Sequence, residues 1–326
     1  MENKLKYDKY DAGYAFTWAI ISPQIIAFIF AFVISMISLA CGMEYESLLE
    51  NTVIVILSIL ISPIAFGYSF YKSNKKAGTK WKGAIGLDFK LNWLNVIICI
   101  GISFICVFGF NNLVSFFDAI ISLTGFKGNY AMPLPLSNAG WLILNLVLMA
   151  VLPAIFEEIL FRGVIFNGLK QYGTKIAVFG SAGLFMLMHG GIEQTIYPFL
   201  VGLVLALVML KTGNILYPII IHFCNNAIVI VYNFIATIQN AEVSVYRFEV
   251  STIILAFVFA IVSAVSIWAI VKYLIKSNGS NNIKLDDFGT ENQSVVTQTN
   301  PNRLLKFAVI VGIVFWVIDL IAGFAA

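Results

Sequence analysis

Residues 141–165 read WLILNLVLMAVLPAIFEEILFRGVI, and their reading decides the fold. Ahead of Glu157 the one polar side chain in this stretch is Asn145. At 1.5 Å of rise per residue the run is long enough to cross the roughly 30 Å hydrocarbon core of a bilayer as a helix. It is apolar all round rather than along one stripe, so it has no face meant for water. Yet it ends on two adjacent carboxylates and an arginine, Glu157, Glu158 and Arg162, inside otherwise apolar sequence. An ionisable side chain within a span costs on the order of 2.5–3.5 kcal/mol on insertion scales, so such a group marks a functional site by default.

The rest of the chain has the same character. Of its 326 residues 60% are hydrophobic and 11% charged, with a mean hydropathy of +0.90. Soluble domains carry about 25% charged residues, so a water-soluble globular enzyme is excluded. The net charge of +3 is small and resides in the loops, and no nucleic-acid partner is expected. Nine apolar runs qualify as candidate spans: 14–42, 52–71, 93–117, 141–165, 174–189, 194–210, 215–236, 251–273 and 305–325. The fold class is therefore all-α, a polytopic membrane bundle of about 8–9 transmembrane helices around an embedded cavity. The first run is long enough to tilt or to break at Pro23, and the fifth and sixth are short and joined by His189-Gly190-Gly191. No internal repeat of the transporter kind is visible.

Lysine and arginine in short loops set the orientation. Lys4, Lys6 and Lys9 precede the first span; Lys72, Lys75, Lys76, Lys80 and Lys82 follow the second; the intervening loop holds Glu44, Glu46 and Glu50 and no base. This alternation predicts a multi-pass cell-membrane protein with a cytoplasmic N-terminus, in contact with membrane lipids. The organisation expected is 1–139, three N-terminal spans with a basic loop; 140–240, the core with the polar clusters; 241–275, an eighth span; 276–304, a flexible polar cytoplasmic linker rich in Ser, Asn, Thr and Gln; and 305–326, a last span peripheral to the core. Cys41, Cys99, Cys106 and Cys224 have neither disulfide nor metal spacing and read as small hydrophobes.

Three polar clusters lie within the spans. Glu158 and Arg162 are four residues apart, share a helix face and brace each other. Glu157 is rotated about 100° from Glu158 and lacks that cation, which leaves it available as a general base. His222 and Asn226 are also four apart, a pair able to donate hydrogen bonds to a developing oxyanion. The second histidine of the chain, His189, closes the fifth span and is the remaining group able to hold a water beside Glu157. A straight-helix ruler places Glu157 and His222 roughly 10 Å below the cytoplasmic face and His189 about 20 Å deep. The clusters then meet only if the fifth span tilts or starts lower.

Glu157-Glu158-xxx-Arg162, Phe185-xxx-His189 and His222-xxx-Asn226, in order on successive spans, resemble the motifs of the CAAX-protease and bacteriocin-processing (CPBP, or Abi) family of intramembrane proteases. The resemblance covers about residues 140–235, with the Lys211–Pro218 lead-in to the third motif. It implies an endopeptidase that hydrolyses a peptide bond near the membrane. Glu157 and His189 would activate water, and His222 with Asn226 would form the oxyanion hole. A zinc alternative takes Glu157, His189 and His222 as three ligands with one position open; the metal-free glutamate mechanism is preferred, there being no HExxH. The partner expected is a peptide or membrane-protein substrate, in bacteriocin or peptide maturation or in self-immunity. A non-proteolytic immunity or scaffold protein is the competing class. A transporter using the buried acids as a relay is the third.

Overall fold

In the computed structural model, residues 7–78, 82, 85–88, 90–126, 132–240, 249–276 and 303–325 are described. Among them are nine long helices: α1 (Lys9–Cys41), α2 (Thr52–Ala77), α3 (Trp93–Leu123), α4 (Ala139–Tyr172), α5 (Thr174–His189), α6 (Ile196–Thr212), α7 (Leu216–Ile238), α8 (Val250–Leu274) and α9 (Arg303–Ala325). They match the nine apolar runs one for one. Six of them are long and apolar enough to cross a membrane, while α5 and α6 are shorter. The chain is an all-α polytopic membrane protein. The linker expected at 276–304 lies outside the described residues but for its ends.

Helix ends follow local chemistry. Asp8 caps α1, accepting from the backbone N–H groups of Tyr10 and Asp11, and Asp11 reciprocates to the Asp8 N–H. Lys76 at the end of α2 reaches Asp11 at 3.1 Å, tying the two basic-side termini together. Asn92 and Asn138 cap α3 and α4 in the same manner. Gly42, Gly78 and Gly213 close α1, α2 and α6 in the left-handed conformation that favours glycine. Contrary to one expectation, α1 runs unbroken through Pro23.

The core has two halves that share α6. On one side Ala206, Met209 and Leu210 pack with Phe16, Phe161, Val164 and Phe185 from α1, α4 and α5. On the other Val201, Val204, Leu205 and Val208 pack with Ile102, Cys106 and Ile221 from α3 and α7. A helix apolar on all faces belongs at the centre of a bundle, and α6 occupies it. The outward faces of α1, α8 and α9 expose large side chains such as Phe28, Phe32, Phe259, Val262, Ile313 and Ile321, the surface of a protein solvated by lipid. The last span is not peripheral. Leu305 and Ala308 of α9 are buried in the first half of the core, and Trp316 Nε1 donates to Thr195 Oγ1 at 3.0 Å, in the α5–α6 connection.

Polar side chains join the helices. Asn95 of α3 both donates to and accepts from the Lys276 backbone, at 2.8 and 2.9 Å, fastening the end of α8. Ser103 of α3 donates to the Ile221 carbonyl of α7 at 3.1 Å. Small residues permit close approach: a Cβ at Gly109 of α3 would overlap Ser263 of α8. We expect Gly109→Ala to destabilise the protein by about 1–3 kcal/mol through overpacking, read as a lower thermal midpoint in nanodiscs. Adding Ser263→Gly removes the overlapping atoms and should recover most of the loss; no recovery would place the strain elsewhere.

Candidate active site

The site begins with irregularities in α4. Its backbone is π-helical over Leu146–Val151 and Ile159–Ile165, on either side of a regular turn holding the two glutamates. Pro153 explains the first: it has no N–H, and its ring crowds the carbonyl four residues earlier, that of Met149. Such wide turns leave carbonyls without their usual helical donors. Side-chain amides take them up. Asn226 Nδ2 donates to Met149 O at 3.1 Å, and Asn167 Nδ2 donates to Arg162 O and Gly163 O at 3.2 and 2.7 Å.

Glu158 and Arg162 have no exposed surface. Arg162 Nη1 donates to Glu158 Oε1 at 2.8 Å, Nη2 donates to the Gly202 carbonyl of α6 at 3.1 Å, and the guanidinium lies 4.5 Å from the centroid of the Phe185 ring. The same Glu158 Oε1 receives His222 Nδ1 at 2.9 Å. The sequence reading gave Glu158 to Arg162 alone; in the fold it also orients a histidine 64 residues away. A carboxylate is acceptor-only, so Nδ1 carries the proton and Nε2 turns the other way. There it meets Glu157 Oε2, 3.9 Å distant. That separation is too long for a direct hydrogen bond, and one water can reach both atoms at about 2.8 Å. Glu157 Oε2 has no partner of its own, and neither have Glu158 Oε2 and Arg162 Nε.

His189 ends α5. Its Nδ1 is 2.8 Å from the Phe185 carbonyl one turn back, so Nδ1–H donates there and Nε2 is left open. Phe185 joins the two histidines: its ring centroid is 4.7 Å from that of His189 and 5.9 Å from that of His222, both edge-on. The last turn of the short α5 thus lies against α4 and α7 by way of the Phe185 ring. Thus Glu157, Glu158, Arg162, His222, Phe185 and His189 form one contiguous cluster, and Asn226 sits one turn beyond His222 against Met149. The imidazole facing Glu157 is that of His222; the direct contacts of His189 are with Phe185.

Sequence reasoning missed two polar residues beside this cluster, Asn225 and Tyr197, joined by a 2.6 Å hydrogen bond. Asn225 stood in view next to Asn226, but nothing marked its partner on another helix. In α3, Asn95 holds the bundle together, whereas Asp118 Oδ1 is buried without a partner. The side chain of Asp319 lies outside the described residues.

The zinc alternative needs three ligands around one point. Among the described residues no group of three or more His, Cys, Asp or Glu side chains is arranged to hold a metal ion. As they stand, the Glu157, His189 and His222 side chains do not converge as three ligands on one point.

A bundle of apolar helices enclosing a buried Glu–Arg–His cluster is a polytopic membrane protein with reactive groups in its interior. Residues 139–228 match the family described as Type II CAAX prenyl endopeptidase Rce1-like. The match runs from the start of α4 into α7, includes all three motifs, and agrees with the resemblance to CPBP proteases: this segment is similar to the CAAX-protease family. No curated protein and no solved structure matches the chain.

Because Glu158 and Arg162 are fully buried, removing one strands the other. We expect Arg162→Met to lower stability by about 3–5 kcal/mol, measured by thermal unfolding in nanodiscs. Glu158→Gln combined with Arg162→Met should recover much of that loss. If the double variant is as unstable as the single one, the pair is not the source.

Proposed function

We propose that the protein is a multi-pass intramembrane endopeptidase that uses Glu157 to activate water. One observation carries the reading: His222 is held between the two glutamates, fixed by Glu158 at Nδ1 and facing Glu157 through Nε2, inside the segment that matches the CAAX-protease family. A water bridging Glu157 Oε2 and His222 Nε2 would lie beside the free acceptor of the site. Glu157 takes the proton as that water attacks the scissile carbonyl, and the C–O bond forms as the carbonyl π electrons move to oxygen. The oxyanion is met by His222 and Asn226. With Nδ1–H committed to Glu158, Nε2 donates only in the charged ring, whose charge the Glu158 carboxylate and the oxyanion offset once Glu157 holds the proton. Asn226 contributes the amide hydrogen not used by Met149. Collapse of the tetrahedral intermediate breaks the C–N bond, and Glu157 returns its proton to the leaving amine. His189, with Nε2 open, joins the cluster through Phe185 and orients water or substrate beside that ring.

The substrate class supported by the family description is a membrane-anchored or hydrophobic peptide. Bacteriocin or leader-peptide maturation and self-immunity are the biological settings we put forward. Purified protein in nanodiscs, assayed with a fluorogenic farnesylated CAAX peptide and with a hydrophobic leader peptide, tests the activity. We expect Glu157→Gln to lower kcat by at least about 10²-fold, the range of a lost general base. Cleavage that survives Glu157→Ala overturns the assignment. Cleavage should persist after chelation; a stoichiometric zinc whose removal abolishes it would restore the three-ligand alternative. Loss of immunity in folded Glu157→Gln and His189→Ala variants would count against a purely non-proteolytic role.

We also propose that the N-terminus and the lysine-rich loop after α2 are cytoplasmic, on the loop distribution of Lys and Arg. With Cys41, Cys99, Cys106 and Cys224 replaced by alanine, a cysteine introduced at Lys75 should react with a membrane-impermeant maleimide only after the cells are opened; labelling of intact cells would invert the topology.

A further inference from the structure

Asn226 is the last residue of a hydrogen-bond chain whose direction is fixed at one end by a proline. Pro153 cannot donate to Met149 O, and the freed carbonyl takes Asn226 Nδ2 at 3.1 Å. A carbonyl only accepts, so the amide nitrogen of Asn226 faces Met149 and its Oδ1 faces away. Asn225 Nδ2 reaches that Oδ1 at 3.4 Å. The Oδ1 of Asn225 is thereby turned to Tyr197, whose phenol must be the donor of the 2.6 Å bond. Each link leaves one choice for the next, from α4 through α7 to the first turn of α6.

We propose that Tyr197 and Asn225 are positioning residues that lock the side-chain amide of Asn226, so that its second N–H is aimed at the oxyanion of the proteolytic reaction. This rests on the reading of Asn226 as an oxyanion donor. An amide anchored only at Met149 could rotate about that bond and spread its free N–H over many directions. Anchoring the Oδ1 edge as well fixes the plane, and a donor fixed before the reaction needs no reorganisation during it. Asn225 is 4% exposed, so its amide has little water to compete for it. Tyr197 supplies the end of the chain from α6, the central helix, whose carbonyl at Gly202 also holds Arg162. Both halves of the site therefore take their register from one helix.

The test is kinetic, with the farnesylated CAAX peptide as probe and protein in nanodiscs. Tyr197→Phe keeps the ring and removes the donor. We expect it to lower kcat about tenfold with KM within about twofold, since a misdirected group costs rate rather than binding. Introduced into Asn226→Ala, the same change should have no further effect, because the chain acts through that amide. Pro153→Ala returns an N–H that competes for Met149 O and should lower kcat as well. A Tyr197→Phe enzyme with wild-type kcat, or an effect that adds in full to Asn226→Ala, overturns the proposal. Asn226→Ala without effect on kcat strikes the oxyanion reading itself and the proposal with it. A non-catalytic readout separates the two: with ¹⁵N-asparagine labelling, the Asn226 side-chain NH₂ signal should shift and exchange faster in Tyr197→Phe. An unchanged signal overturns the chain whatever the activity.

Discussion

A single carboxylate oxygen, Glu158 Oε1, accepts from Arg162 at 2.8 Å and from His222 at 2.9 Å with no water in reach of the pair's surface. In bulk water such contacts would contribute little; where ions have lost their hydration, an unpaired charge is worth several kcal/mol of instability. The helices that supply the partners are thus constrained together. Arg162 comes from α4 with Glu158, His222 from α7, the Gly202 carbonyl from α6, and the Phe185 ring from α5. Apolar packing holds the remaining helices around this knot, but dispersion alone would tolerate a shifted register. The shared oxygen does not.

The polarity that the site uses arises largely from defects in one apolar helix. In a bilayer every backbone group must find a partner within the protein. The wide turns of α4 release carbonyls, and the amides of Asn167 and Asn226 are drawn to them. Pro153 therefore does more than bend a span: it creates the acceptor that fixes an asparagine from a distant helix. The second wide turn carries Arg162 and has its own carbonyls satisfied by Asn167, so the guanidinium stays committed to Glu158, Gly202 and the face of Phe185.

What could be read from the sequence was whatever depends on near neighbours. Apolar run length located all nine helices, because a bilayer demands a minimum span and tolerates few charges in it. The four-residue spacing of Glu158 and Arg162 was enough to pair them. Contacts between helices were beyond that logic. His222 meets Glu158 across 64 residues, and Tyr197 meets Asn225 across 28, with no periodicity to announce either. A straight-helix ruler could not show how His189 joins the cluster, because the link runs through the Phe185 ring at the end of a short α5. The last helix was misjudged for a related reason: a polar stretch before it says nothing of where Leu305, Ala308 and Trp316 will pack. The π turns left only the trace of Pro153.

Adjacent glutamates in a membrane helix look redundant until their directions are separated. Neighbouring positions differ by about 100° around the axis, so one carboxylate can face the packed interior while the other faces what enters from outside. Glu158 has no exposed surface and two cationic or N–H donors on one oxygen; Glu157 retains 9% exposure and an oxygen with no partner. His222 joins them, with one ring nitrogen in each environment. On the proposed reading the scaffold and the chemistry therefore meet in that ring. Whatever fixes Nδ1 against Glu158 also sets where Nε2 points, and the reacting groups inherit the precision of a buried ion pair that never touches substrate.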